Sequence, residues 1–277
     1  MLLPLGWWVC VSLLVPARVP APAAPLLTQP ARPPAAPSEL AAKIDAYFTA
    51  AAATLPGGPS GALARIPDLE RRRLAVAHYL RRLDQVDSLW SWSPEEARAR
   101  QKSADYRRAM RELRRVRQTF ARQNPGYLLV TDTNPRPLHT QIRYWNREPS
   151  VFAAARELND SAASWLAPEL FPAQPDSSGV ARFVHRLETF MPHRIPTVAV
   201  PGLSLHGRGR AFDFAILRRG MVVAGTSSST IDSTWKAAGW GARLRHAVIE
   251  AGETFVGPLA TPPEPWHYEV SARATTP

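Results

Sequence analysis

The chain has 277 residues, enough for one sizeable hydrophobic core, or for one core with a helical appendage, since single cores stop growing near roughly 250–300 residues. Lysine and arginine total 34 against 23 acidic residues, a formal net charge of +11 that suits polyanionic surroundings. The single cysteine, Cys10, lies in the apolar N-terminal run, which excludes a disulfide framework and thiolate metal ligands once that run is removed.

In chain order, the opening MLLPLGWWVCVSLLVPA is shorter than the ~20 residues that a membrane-spanning helix needs, and Pro4 and Pro16 interrupt it. It reads as a signal-peptide core, with Ala21-Pro22-Ala23 offering small residues for cleavage and residues 1–23 removed on export. No lysine or arginine precedes the run, so a retained membrane anchor is the alternative. Residues 24–37 are mostly proline and alanine and form an extended tether. Residues 38–125 then read as a helical region, and residues 126–277 as a catalytic domain.

Within the helical region Ser38 caps a helix ended by Pro56-Gly57-Gly58, and a second helix is expected from Asp68 to Val86. Ser93-Pro94-Glu95-Glu96 is a capping box opening a helix to about Gln123. Tyr106, Met110, Leu113, Val116 and Phe120 give that helix a core stripe, with arginines between them as a basic face.

After Asn124-Pro125-Gly126 the run Tyr127–Thr131 is β-rich. Helices are expected over Ser150–Leu166, Gly179–Phe190 and Gly241–Ala251, a hairpin from Ala211–Leu217 and Met221–Gly225, and a last strand over Trp266–Ser271. The fold class is α+β: a small antiparallel or mixed sheet flanked by helices and preceded by the helical region. Along Ala211–Leu217 the period of two puts Ala211, Asp213 and Ala215 on one face and Phe212, Phe214 and Ile216 on the other.

Two segments carry chemistry. In PGLSLHGRGRAFDF, Ser204, His206, Gly209, Ala211 and Asp213 fall in the pattern S-x-H-x-x-G-x-A-x-D; the second segment is Glu264-Pro265-Trp266-His267. His206, Asp213 and His267 make a three-ligand set that leaves zinc an open fourth position, and Glu264 stands where a general base for water is needed. Ser204 is either a turn former or a substrate contact. His78, His139, His185, His193 and His246 complete no metal spacing. Trp235 and Trp240 read as core rather than groove.

These segments resemble the zinc D-Ala-D-Ala carboxypeptidase and dipeptidase family, which includes the VanY-like carboxypeptidases and the VanX-like dipeptidases of vancomycin resistance. The likeness is densest over Pro201–Phe214 and Pro263–Val270 and extends more weakly over Gly126–Val270, leaving the earlier helices outside it. It implies that His206, Asp213 and His267 hold Zn2+ and that Glu264 is the catalytic glutamate. The family's S-G-Y-R-S-x-x-x-Q segment corresponds to Thr133-Asn134-Pro135-Arg136-Pro137-Leu138-His139-Thr140-Gln141. Only the arginine-to-glutamine spacing is kept, which implies Arg136 as the oxyanion-facing residue, with Arg143 as its rival.

The implied function is an exported, periplasmic or extracellular zinc metallopeptidase that hydrolyses D-Ala-containing peptidoglycan stem peptides as a carboxypeptidase. The alternatives within the class are a cross-link endopeptidase and a D-Ala-D-Ala dipeptidase; the alternative outside it is a non-catalytic zinc-containing wall-binding protein. The basic surface suits contact with anionic wall polymers or a membrane surface, and the lack of aromatic-basic motifs disfavours nucleic acid.

Overall fold

The computed structural model describes residues 38–167, 170–252 and 254–270; the expected signal sequence and tether, and Ser271 of the last strand, lie outside them. Local side-chain caps set most helix starts. Ser38 accepts from the Ala41 amide at the start of α1 (Glu39–Ala52), and Asp68 accepts from Arg71 N at α3 (Leu69–Arg81). Both halves of the Ser93/Glu96 capping box are formed at α5 (Pro94–Gln101).

Before Gly126 the helices differ from expectation at three points. Pro56-Gly57-Gly58 does not merely end α1, because Gly57–Leu63 coils into a short α2, with Gly58 pressed against the Trp90 indole where a Cβ would not fit. The Asp68–Val86 helix stops at Arg81, followed by a 3₁₀ turn at Leu83–Gln85 and α4 (Val86–Leu89). The helix expected from Ser93 to Gln123 is two helices, since Ser103 supplies a second cap by accepting from Tyr106 N and α6 (Ala104–Gln123) restarts there.

The remaining elements are β1 (Tyr127–Val130), α7 (Leu138–Arg147), α8 (Pro149–Leu166), α9 (Ser177–Thr189), β2 (Ala211–Asp213), β3 (Ala215–Arg218), β4 (Met221–Ala224), α10 (Trp240–Ala251), β5 (Phe255–Val256) and β6 (His267–Val270). The molecule is α+β, and its strands form two three-stranded antiparallel sheets, in the orders β1-β3-β4 and β2-β6-β5. The β3–β4 hairpin closes through Arg219 and Gly220, both at positive φ (50° and 80°), the geometry of a tight primed turn.

The run Ala211–Leu217, expected as one strand of that hairpin, is split. Ala211–Asp213 pairs with β6, whereas Ala215–Arg218 pairs with β1 and β4, so Phe214 is the point where the chain passes from one sheet to the other. The alternation holds through the split: Phe212, Phe214 and Ile216 are all buried. Asp213 therefore ends its strand with its side chain on the opposite face from those core aromatics.

Two apolar clusters organise the described residues, and each draws on both sides of Gly126. Helices α1–α3 pack with α7–α9 around Tyr47, Leu74, Tyr79, Trp145, Leu158 and Phe183. The α6 stripe of Leu113, Val116 and Phe120 packs with α10 and the sheets around Phe214, Leu244 and Tyr268. Trp235 and Trp240 belong to this second core. Among the described residues no helix is long and apolar enough to cross a membrane.

Candidate metal centre

His206 sits in a 3₁₀ turn, Leu205–Arg208, whose ends are fixed locally. The Ser204 hydroxyl accepts from His206 N (3.3 Å) at its start, and Gly209 adopts a left-handed φ of 59° at its end, a conformation that favours glycine. Ser204 is thus engaged as a turn former.

Asp213 and His267 are direct cross-strand partners in the β2–β6 ladder, which places both side chains on one face of the sheet. Glu264-Pro265-Trp266-His267 is a reverse turn leading into β6, closed by His267 N donating to Glu264 O at 3.0 Å. That turn folds the Glu264 carboxylate back to 3.6 Å from His267 Nδ1. Trp266 is buried and anchors the turn in the second core.

The ligand atoms of His206, Asp213 and His267 all lie within 4.8 Å of one another. His267 Nδ1 is 2.9 Å from Asp213 Oδ1 and 3.3 Å from His206 Nε2, and His206 Nε2 is 3.2 Å from Asp213 Oδ2. Arg136, on the loop between β1 and α7, donates from Nη2 to Asp213 Oδ2 at 2.9 Å. Its backbone N–H also donates to His206 O at 2.8 Å. Thr131, Asp132 and Asn134 line the same opening as Arg136, His206 and Asp213.

Arg143, within α7, is exposed and has its guanidinium carbon 5.7 Å from the centre of the Tyr144 ring, which Arg136 approaches to 5.3 Å. Of the two arginines, Arg136 is the one with a contact to the cluster.

The electrostatics follow from crowding three carboxylates around two imidazoles. Burial disfavours charge on Asp213, but hydrogen bonds and charge from His206 and His267 outweigh it and hold the carboxyl well below the usual range. His206 is lowered by burial against the pull of Asp213. Burial opposes charge on His267 as well, yet Asp213, Glu269 and Glu264 push its imidazole up to about 9. Burial pushes the Glu264 carboxyl up to about 7, with Asp213 adding to the rise and His267 opposing it.

The donor set fits zinc. Two imidazoles and one carboxylate converge from two β-strands and one turn, the number and kind of protein ligands that a catalytic zinc takes. The second ring nitrogen of His267, Nε2, faces Glu269 Oε1 at 3.5 Å, where an outer carboxylate would orient the histidine if it held a metal. Glu269 was not singled out from the sequence, although its period-two spacing from His267 puts it on the same face of β6. Elsewhere, His78 packs edge-on against Trp145, and His193 pairs with Glu157.

Comparison of the chain with family models, with curated proteins and with solved structures finds no match in any of the three.

Proposed function

We propose that the chain is a zinc-dependent peptidase that hydrolyses D-Ala-containing stem peptides of peptidoglycan, of the D-Ala-D-Ala carboxypeptidase type. The observation that carries the reading is the convergence of His206, Asp213 and His267 on one point, with Glu264 and Arg136 beside it. Zinc held by those three residues would supply Lewis acidity, polarising a carbonyl and lowering the pKa of water to about 7.

The chain's own groups divide the remaining work. Glu264, folded back beside His267, takes a proton from the attacking water and returns it to the leaving amine. Asp213 keeps its negative charge and draws Arg136 toward the site. Arg136 presents a guanidinium, braced against Tyr144, to the oxygen that gains charge as the carbonyl is attacked. Ser204 acts by holding the His206 turn.

The substrate lies outside the cytoplasmic membrane, which agrees with the apolar N-terminal run read as an export signal. Digesting purified peptidoglycan fragments with zinc-loaded protein and weighing the products tests the reading. Stems shortened by one terminal alanine are expected. Release of intact dipeptide, or opening of cross-linked dimers, would reassign the bond within the class, and unchanged fragments at full zinc occupancy would refute hydrolysis.

A further inference from the structure

The segment Trp90-Ser91-Trp92, between α4 and α5, lies in the helical region that the zinc-peptidase resemblance does not cover, yet it is bound into the metal side of the molecule. Ser91 N donates to Gly202 O at 2.7 Å, Trp92 N donates to Gly207 O at 3.1 Å, and Arg208 Nη1 donates to Trp90 O at 2.9 Å. Three consecutive residues thus grip both sides of the His206 turn.

Ser91 is buried, and its hydroxyl is used as donor and as acceptor. It donates to Gly202 O (3.2 Å) and accepts from Gln141 Nε2 (2.7 Å). Gln141, itself buried on α7, donates from the same nitrogen to Arg136 O (2.8 Å) and accepts from Gly202 N (3.0 Å). The loop that carries Arg136 and the segment that carries His206 are therefore tied through one amide and one hydroxyl. The packing is close: a Cβ at Gly207 would meet Ser91 Oγ at 1.9 Å and Gln141 Nε2 at 2.7 Å.

We infer that Ser91 is a positioning residue of the centre, fixing Arg136 and the His206 turn through Gln141 and Gly202, so that the helical region sets zinc affinity and turnover. The inference rests on the zinc-peptidase reading above. Removing the hydroxyl leaves a buried Gln141 N–H without its partner and frees the two segments to move against each other. Residues that support metal ligands from outside typically change metal affinity or activity by about 10–100-fold when lost.

The test compares full-length parent, Ser91→Ala and Leu187→Ala. Leu187 is fully buried in the helical core and takes no part in this hydrogen-bond network, so its truncation reports general destabilisation. Zinc dissociation constants are read by chelator competition, kcat and KM on a stem peptide, and amide hydrogen exchange over residues 201–208. Ser91→Ala is expected to weaken zinc about tenfold or more, lower kcat with KM nearly held, and speed exchange in the His206 turn. Leu187→Ala should lower the melting temperature with zinc affinity held. Parent-like affinity and kcat in Ser91→Ala, or losses no larger than those of Leu187→Ala, overturn the inference alone. A parent chain that takes up no zinc overturns the metal-centre reading, and this inference with it.

Discussion

Replacing Arg136 by alanine separates the role assigned to it from that of a surface cation. The guanidinium is partly buried, with 27% of its side chain exposed, and holds Asp213 Oδ2 at 2.9 Å. Its loss removes one partly screened ion pair, worth about 1 kcal/mol or less of stability, and leaves both imidazoles to keep Asp213 charged. The fold and the zinc should therefore survive. A donor facing the developing oxyanion acts in the transition state, and removing one costs about 10²–10³ in kcat, about 2.7–4 kcal/mol. The assay is steady-state kinetics on a D-Ala-terminated stem peptide, with zinc content measured on the same samples. Turnover should fall by that factor with KM little changed. Arg143→Ala, whose side chain has no contact with the cluster, should stay within about twofold of the parent, as a solvated surface cation does. A silent Arg136→Ala beside an inactive Arg143→Ala would refute the assignment, and a rise in KM alone would make Arg136 a ground-state contact.

Each of His206→Ala and His267→Ala is expected to lose both zinc and activity, because two remaining ligands do not make a catalytic set; full zinc occupancy by elemental analysis would contradict the ligand assignment. Glu264→Gln should keep zinc and lose about 10²-fold or more in turnover, since an amide cannot accept the proton from water; loss of zinc in parallel would make Glu264 a ligand. Burial, with Arg81 and Arg82 nearby, pushes the His78 imidazole down to about 3, and its Nε2 has no partner among the described residues. The unfolded chain, titrating near 6.5, binds that proton first. The stability His78 contributes above that value is therefore lost as pH falls from about 6.5 toward 3, at up to about 1.4 kcal/mol per pH unit. Urea midpoints between pH 7 and pH 4 should fall less in His78→Gln than in the parent, and equal slopes would sink the argument.

Much of the local structure was written in short-range chemistry. The caps at Ser38, Asp68 and Ser93/Glu96, the turn at Arg219-Gly220, and the alternation of Phe212, Phe214 and Ile216 each involve groups a few residues apart, so the chain specifies them before any long-range contact forms. The same range explains the errors. Ser103 carries the signal of a cap, yet it lies inside a run whose helical periodicity continues past it. The Leu138–Arg147 helix, not anticipated, opens after Pro137 without a side-chain cap and is held by burial of Gln141, Ile142 and Trp145.

By itself the sequence determined which residue types stand at which spacing: an imidazole two residues after Ser204 in a glycine-bounded turn, a carboxylate opposite the core face of a strand, and a glutamate three residues before a second histidine. Their meeting was a tertiary decision. Asp213 faces His267 only because β2 and β6 pair in that register, and the strand serves one sheet up to Asp213 because Phe214 turns it toward the other. The arginine-to-glutamine spacing pointed to Arg136, but only the folded chain sets its guanidinium against Asp213, and packing alone brought Ser91 to Gln141 and the His206 turn from a segment with no motif of its own. Side chains that meet across long stretches of chain leave no period in the sequence, because their proximity is set by packing of the two cores and by strand register, which no local window contains.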